Sequence, residues 1–244
     1  MRSLTAVRTP RLCMSTQSLV PLICWLVLSA CQQQGNETAT DMPDPKATIT
    51  EAVVSGLQWM NTPESAVVRD SVLEVTVGKG SDFFNNPEDG SIVATAPLLY
   101  MESAANFVAK ACVQPDFSSQ WNAVSLMVHL HSLHWIKLAF ENSDATGPGI
   151  VTVVTRTTSD DANGAVLNKS NRIWLAVARK ENLYALHWSE DGKKYHMARL
   201  SAMPVKDSVR IGIEGQSPVG EKATHSILSF EVEETTVGDL RNIN

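Results

Sequence analysis

From about residue 57 onward the dominant pattern is alternation of apolar and polar side chains. It is clearest in residues 124–141, VSLMVHLHSLHWIKLAFE. Val124, Leu126, Val128 and Leu130 alternate with Ser125, Met127, His129 and His131. Further on, Ile136, Leu138 and Phe140 alternate with Trp135, Lys137, Ala139 and Glu141. A period of two sorts side chains onto opposite faces of a strand, so the stretch predicts a hairpin. The two apolar sets share a face only if the loop has an odd number of residues, most simply Ser132-Leu133-His134. A slip of one residue would turn one set to the wrong side. In that register Lys137 lies across from His129. The face opposite the core carries Trp135, Lys137 and Glu141 beside His129 and His131.

The same reading predicts strands over 57–61, 72–77, 92–99, 106–113, 123–131, 135–141, 150–156, 172–180, 183–189, 194–200, 208–215 and 226–233. These runs are rich in β-branched and aromatic residues. The breaks between them hold Gly, Pro, Asn and Asp, as in Pro87-Glu88-Asp89-Gly90 and Gly147-Pro148-Gly149. No apolar pattern of period 3.6 lasts long enough for a major helix. Many short strands at regular spacing predict an all-β chain, an antiparallel β-sandwich or barrel. Ser189-Glu190-Asp191-Gly192 predicts a turn between two strands, with Gly192 supplying a positive φ.

The first 51 residues follow another pattern. Arg2, Arg8 and Arg11 precede an apolar run over 19–28, too short to span a bilayer by itself. It ends in Leu28-Ser29-Ala30-Cys31, which resembles a bacterial lipobox. Residues 1–30 therefore read as a lipoprotein signal peptide and Cys31 as the lipidated residue. Several acyl chains, at about 0.8 kcal/mol per buried CH₂, anchor firmly. Gln32 follows the cysteine where an Asp would retain the protein. The expected location is extracytoplasmic and membrane-anchored, on an outer membrane if the host has one. Residues 31–51 are polar, with Pro43 and Pro45, and read as a flexible tether. A single β domain over 52–236 and a tail over 237–244 complete the organisation.

Charge and cysteines narrow the function classes. The signal peptide takes three of the 20 basic residues and none of the 26 acidic ones, leaving −9 on the rest. An acidic domain without a Lys/Arg cluster excludes nucleic acid as the expected partner. Only Cys112 remains in the domain, so no internal disulfide can form. It lies in an apolar run and reads as a buried small hydrophobe.

The order of motifs resembles the DUF1349 family, which has a concanavalin A-like lectin/glucanase jelly roll. The resemblance rests on Ser81-Asp82-Phe83-Phe84, Val124 to Val128, and the W-x-K-x-x-x-E strand from Trp135 to Glu141. It continues through Val151 to Thr155, Ser159-Asp160, Arg179, Ser189 to Gly192, Arg199, and Ile211 to Pro218. Together these span about residues 57–233. Two departures stand out: Phe84, and Asp161 after Asp160, occupy positions where family members often have Trp. If those tryptophans stack on a sugar, this chain stacks less strongly or elsewhere.

The resemblance implies carbohydrate or glycoconjugate as ligand. A sugar site needs an aromatic platform and planar polar groups. Asp82, Trp135, Lys137, Glu141, Asp160 and Arg199 are the ligand-binding candidates, and Arg156 adds to that vocabulary. Glycoside hydrolysis is the alternative. It needs two carboxylates, roughly 5 Å apart for retention or 6.5–9.5 Å for inversion. The E-x-D-x-x-E strand motif of hydrolases with this fold is absent, which leaves Glu141 with Asp82 or Asp160 as a dispersed pair and no catalytic residue assigned. A third class is a protein-interaction module of the cell envelope. His129, His131 and His134 suggest zinc, but Lys137 opposite His129 opposes it, and no metal site is expected. No cofactor is expected either. Asp144, Asp160, Asp161 and Asn163 leave room only for a structural calcium, without EF-hand spacing. Ligand identity and oligomeric state are not encoded legibly.

Overall fold

The computed structural model describes residues 49–203 and 208–244. The expected signal peptide, the expected lipidation site Cys31 and the expected tether up to residue 48 lie outside the described residues. One short helix, α1 (Glu51–Ser55), opens the described chain. Thr50 caps it by accepting a hydrogen bond from the Val53 amide at 3.3 Å. The strands that follow in chain order are β1 (Gln58–Met60), β2 (Ser65–Arg69), β3 (Val72–Gly78), β4 (Phe83–Asn85), β5 (Ile92–Ala94), β6 (Leu98–Ser103), β7 (Phe107–Gln114) and β8 (Ala123–His131). Next come β9 (His134–Ser143), β10 (Gly147–Arg156), β11 (Thr158–Val166), β12 (Ile173–Lys180), β13 (Leu183–Ser189), β14 (His196–Ala202), β15 (Val209–Gln216) and β16 (Lys222–Glu233).

They form two seven-stranded antiparallel sheets. The first runs β1-β6-β15-β8-β9-β10-β11 and the second β14-β13-β12-β7-β16-β3-β2; β4 and β5 make a separate small hairpin. The expected all-β antiparallel sandwich is what forms. Leu126, Ile136, Leu138 and Phe140 of the first sheet meet Val75, Phe107, Leu175 and Val177 of the second in one core between the sheets. Burying such side chains, at about 25 cal/mol per Å² of apolar surface, is the main source of stability.

The central hairpin keeps the predicted parity by a different route. Val128 pairs with Ile136, Leu126 with Leu138 and Val124 with Phe140, so both apolar sets face the core. The turn itself has two residues, Ser132 and Leu133, because His131 pairs with His134. A bulge between His129 and His131 absorbs the extra residue. The expected three-residue loop is thus corrected, and Met127, not His129, lies across from Lys137. His129 faces Trp135 instead.

Four strands depart from the predicted set. β2, β4 and β11 were not expected. The expected 92–99 strand breaks at Pro97 into β5 and β6, since proline cannot donate to a ladder. β11, with Asp160, Asp161 and Asn163, is polar because it is the outermost strand of the first sheet, where charge blunts the free edge. The turn at Ser189 to Gly192 forms as predicted. Gly192 has φ of 68°, and Asp191 Oδ1 accepts from the amides of Lys193 at 2.8 Å and Lys194 at 2.9 Å. These bonds pull the Asp191 pKa down to about 2, so the motif is spent on its own turn. Cys112 is buried, and burial pushes its thiol up to about 12. Val237, Leu240 and Ile243 of the C-terminal segment cover Val108, Ala178 and Ala185 on the outer face of the second sheet.

Candidate functional site

The outer face of the first sheet is where polar residues gather. Alternation along β9 sends Ile136, Leu138 and Phe140 inward and Trp135, Lys137, Ala139 and Glu141 outward. In β15, Ile211 and Ile213 go inward, so Gly212, Glu214 and Gln216 go outward. Cross-strand pairing then builds rows across this face. One row is Asp161, Val153, Lys137, Met127 and Gly212; the next is Asn163, Val151, Ala139, Ser125 and Glu214; a third joins Glu141, Ala123 and Gln216.

The β4–β5 hairpin covers one end of the face. Phe83 of β4 packs edge-on against Trp135 with ring centroids 6.1 Å apart. Asn85 pins the hairpin down by donating from Nδ2 to the carbonyls of Ser132 at 3.0 Å and Thr157 at 2.8 Å. The segment before it is stitched to β15: the Ser217 amide donates to Ser81 Oγ at 2.8 Å. Beside this cover an open cleft of about 520 Å³ remains. Val151 and Val153 form its apolar floor, and Phe84 and Trp121 stand as aromatic walls. Asp82, Lys137, Glu141, Asp161 and Gln216 face into it.

Lys137 is the hub. It is 2% exposed, and Nζ donates to Gln216 Oε1 at 2.6 Å, the Phe83 carbonyl at 3.0 Å and Asp82 Oδ1 at 3.3 Å. Burial alone would lower its pKa. The carboxylates of Asp82, Glu214 and Glu141 outweigh that and hold the ammonium charged above its ordinary value. Glu141 is 7% exposed; burial pushes it up to about 7 against the pull of Lys137, with Asp82, Glu214 and Asp161 adding repulsion. Glu214 is wholly buried and burial raises it to about 7 as well. Lys137 pulls the other way, but among the described residues neither carboxylate oxygen has a hydrogen-bond partner.

The structure sorts the sequence candidates. Asp82, Lys137 and Glu141 converge in the cleft. Trp135 does not: it is fully buried beneath Phe83, so it supports the floor and offers no platform. Asp160 and Arg199 do not reach the cleft either. Asp160 pairs with Val154, whose side chain joins the core, so it points to the inner side of the edge strand. There Arg199 Nη2 of β14 meets Asp160 Oδ2 at 2.9 Å, joining the edges of the two sheets. Arg156 makes a similar tie, donating to the Ala202 carbonyl at 2.6 Å. Of the histidines, His129 is buried next to Phe83 and its pKa falls to about 4, from burial first and then Arg210 and His131. No group of three or more His, Cys, Asp or Glu side chains is arranged to hold a metal among the described residues.

Several cleft residues escaped the sequence reading. Asp161 replaces Asp160 by one step of alternation. Glu214 and Gln216 were legible, since they alternate with Ile211 and Ile213 in the resemblance motif. Trp121 was not: it precedes β8 and holds a left-handed φ of 60°, uncommon for a bulky residue. Its amide donates to the Asn142 carbonyl at 2.8 Å and its carbonyl accepts from Gln216 Nε2 at 2.8 Å, which fixes the indole at the cleft wall. Strain held by such bonds gathers at functional sites.

A family model described as a protein of unknown function, DUF1349, matches residues 59–235. The protein "Regulation of enolase protein 1" of Saccharomyces cerevisiae is 25% identical over 170 residues, covering 69% of this chain and 85% of that protein. A solved structure of a functionally unknown protein from Saccharomyces cerevisiae is similar with TM-score 0.70 and 22% identity, over 75% of this chain and 99% of that one. Xylan β-1,4-xylosidase from Bacillus halodurans gives TM-score 0.58 and 12% identity, over 81% of this chain but 40% of the enzyme. A GH43 protein from Bacillus licheniformis gives 0.57 and 13%, over 71% and 36%. These structural likenesses establish a common β-sandwich fold.

Proposed function

This chain belongs to the DUF1349 family, and from that footing we propose that its outer-face cleft binds carbohydrate. The observation that carries the reading is the cleft's composition. Aromatic walls at Trp121 and Phe84 and an aliphatic floor suit the C–H faces of a sugar ring, while carboxylates with unspent acceptors suit its hydroxyls. The fold is shared with a xylosidase and a GH43 protein, though the chain spans less than half the length of either. That likeness supports the architecture of the reading and not their activities.

A second reading, glycoside hydrolysis, is favoured by one observation. Glu141 lines the cleft with its pKa near 7, the poise of a general acid, and Asp82 and Asp161 also face that space. One glycan panel tests both readings, scored for binding and for released reducing ends. Binding without release is the expected result, with Trp121→Ala weakening affinity about tenfold or more, the scale of one aromatic anchor. Release abolished by Glu141→Gln would establish the enzyme. A panel with neither binding nor release would remove both and leave the protein-interaction module.

The sequence pattern at residue 31 motivates the remaining part of the reading. The chain is proposed to be held at a membrane, outside the cytoplasm, by lipid on Cys31. An alkyne fatty acid fed to a bacterial expression host should label the protein and carry it into the membrane fraction. Cys31→Ser should lose the label. A wild-type protein that stays unlabelled and soluble would sink the anchor.

A further inference from the structure

The balance of donors and acceptors in the cleft narrows the class of sugar. Among the described residues that line it, Lys137 is the one ammonium or guanidinium. An ammonium has three N–H donors, and here all three are spent on Asp82, Phe83 and Gln216. The Ser143 hydroxyl, also on the wall, is spent on Asn163 Oδ1 at 2.6 Å. Neutral donors remain on the Asn86 and Asn163 side-chain amides, but among the described lining residues no charged donor is left, and the acceptor side is richer. Asp144 and Asp161 are exposed carboxylates on the cleft rim that no described residue hydrogen-bonds to. Glu141 is 7% exposed, faces the cleft and likewise receives no hydrogen bond from any described residue. A carboxylate that deep without a donor is costly when ionised. A ligand that brings donors, and above all a positive charge, removes that cost. Five carboxylates around one internally neutralised ammonium also draw cations in and keep anions out.

Resting on the carbohydrate reading, we propose that the cleft selects amino sugars, seating a free ammonium group against Glu141, Asp144 and Asp161, and rejects uronic, sulfated and phosphorylated glycans. The ring packs on the Trp121 wall over Val151 and Val153. The ammonium supplies the donors that Glu141 lacks, while Asp144 and Asp161 add attraction from the rim.

Titration calorimetry tests this on the full chain, in a detergent without a sugar headgroup and at low salt. The probes are a glucosamine trimer, its fully N-acetylated counterpart, a galacturonic acid trimer and spermidine. The glucosamine trimer should bind about tenfold or more tighter than the acetylated one, and the galacturonic acid trimer should not bind. Added salt should erase most of that preference. The Asp144→Asn/Asp161→Asn variant should bring the ratio of glucosamine-trimer to acetylated-trimer affinity down to about one, whatever it does to the acetylated trimer itself; these exposed positions can change without unfolding the domain. Equal or tighter binding of the acetylated trimer, or any binding of the galacturonic acid trimer, overturns the charge selection while sugar binding stands. Spermidine binding as tightly as the glucosamine trimer overturns the sugar part. Binding of none of the four overturns the proposal, and the neutral glycan panel then tells separately whether carbohydrate binding falls with it.

Discussion

Lys137→Met is expected to cost about 3–5 kcal/mol of folding stability, the scale of removing one partner from a buried charge network. Methionine matches the aliphatic stem, so lost packing is a small part of the effect. What changes is charge. Asp82 loses its ion pair, the Phe83 carbonyl and Gln216 Oε1 lose a donor, and Glu214 and Glu141 lose the cation that offsets their burial. The same loss releases the loop that carries Asp82 from β9, so the cleft loses its shape along with its stability. Denaturant unfolding of the wild type and the variant at neutral pH measures the cost. Adding Glu214→Gln to the variant should recover part of it, because the uncompensated carboxylate is then gone. A cost under about 1 kcal/mol, or no recovery in the double variant, would mean that the ammonium is not the hub of this face.

The second large effect is in pH. Glu214 has an ordinary pKa of 4.5 and is raised to about 7 in the fold. A raised acid contributes stability that is fully present below 4.5 and is lost as pH climbs through 7. For this group the loss is about 3 kcal/mol. Glu141 behaves alike. His129 and His225 run the opposite way. Both drop from 6.5 to about 4, so the fold resists their protonation and stability is lost as pH falls from 6.5 toward 4, by up to about 3 kcal/mol each. His225 is buried first of all; its Nδ1 accepts from the Asp116 amide at 3.1 Å and its Nε2 donates to the Gln216 carbonyl at 3.1 Å. The two trends offset between about pH 4.5 and 6.5, and the wild type should show a flat stability profile there. Glu214→Gln removes one arm of that balance. The variant should gain about 3 kcal/mol relative to wild type between pH 4.5 and 8, read as a divergence of unfolding midpoints at matched denaturant slope. Parallel profiles for the two proteins would show that Glu214 does not titrate across this range.

Much of the cleft was written in local pattern. Alternation alone put Lys137 and Glu141 on the face opposite Ile136, Leu138 and Phe140, and it could have added Glu214 and Gln216 by the same step. It failed where one residue of phase decides the side. Asp160 and Asp161 are chemically identical neighbours, and only the pairing of β11 with β10 shows that Asp161 shares the face of Val153. It failed again where parity had two solutions. An odd loop and a two-residue turn with a bulge leave the same apolar face inward, so the hairpin's true register was invisible.

The sequence by itself determined the all-β class, the central hairpin and which side chains of its second strand leave the core, because those follow from a period of two within one strand. The tertiary structure alone decided which of them line the cleft. Trp135 and Lys137 leave the same strand on the same side. Yet the β4–β5 hairpin, arriving from some fifty residues earlier, seals Trp135 under Phe83 and leaves Lys137 beside open space. Trp121 stands at the cleft wall through a left-handed backbone held by partners on β9 and β15. Exposure is a property of what packs over a residue, and the covering segment is distant in the chain, so no local pattern encodes it.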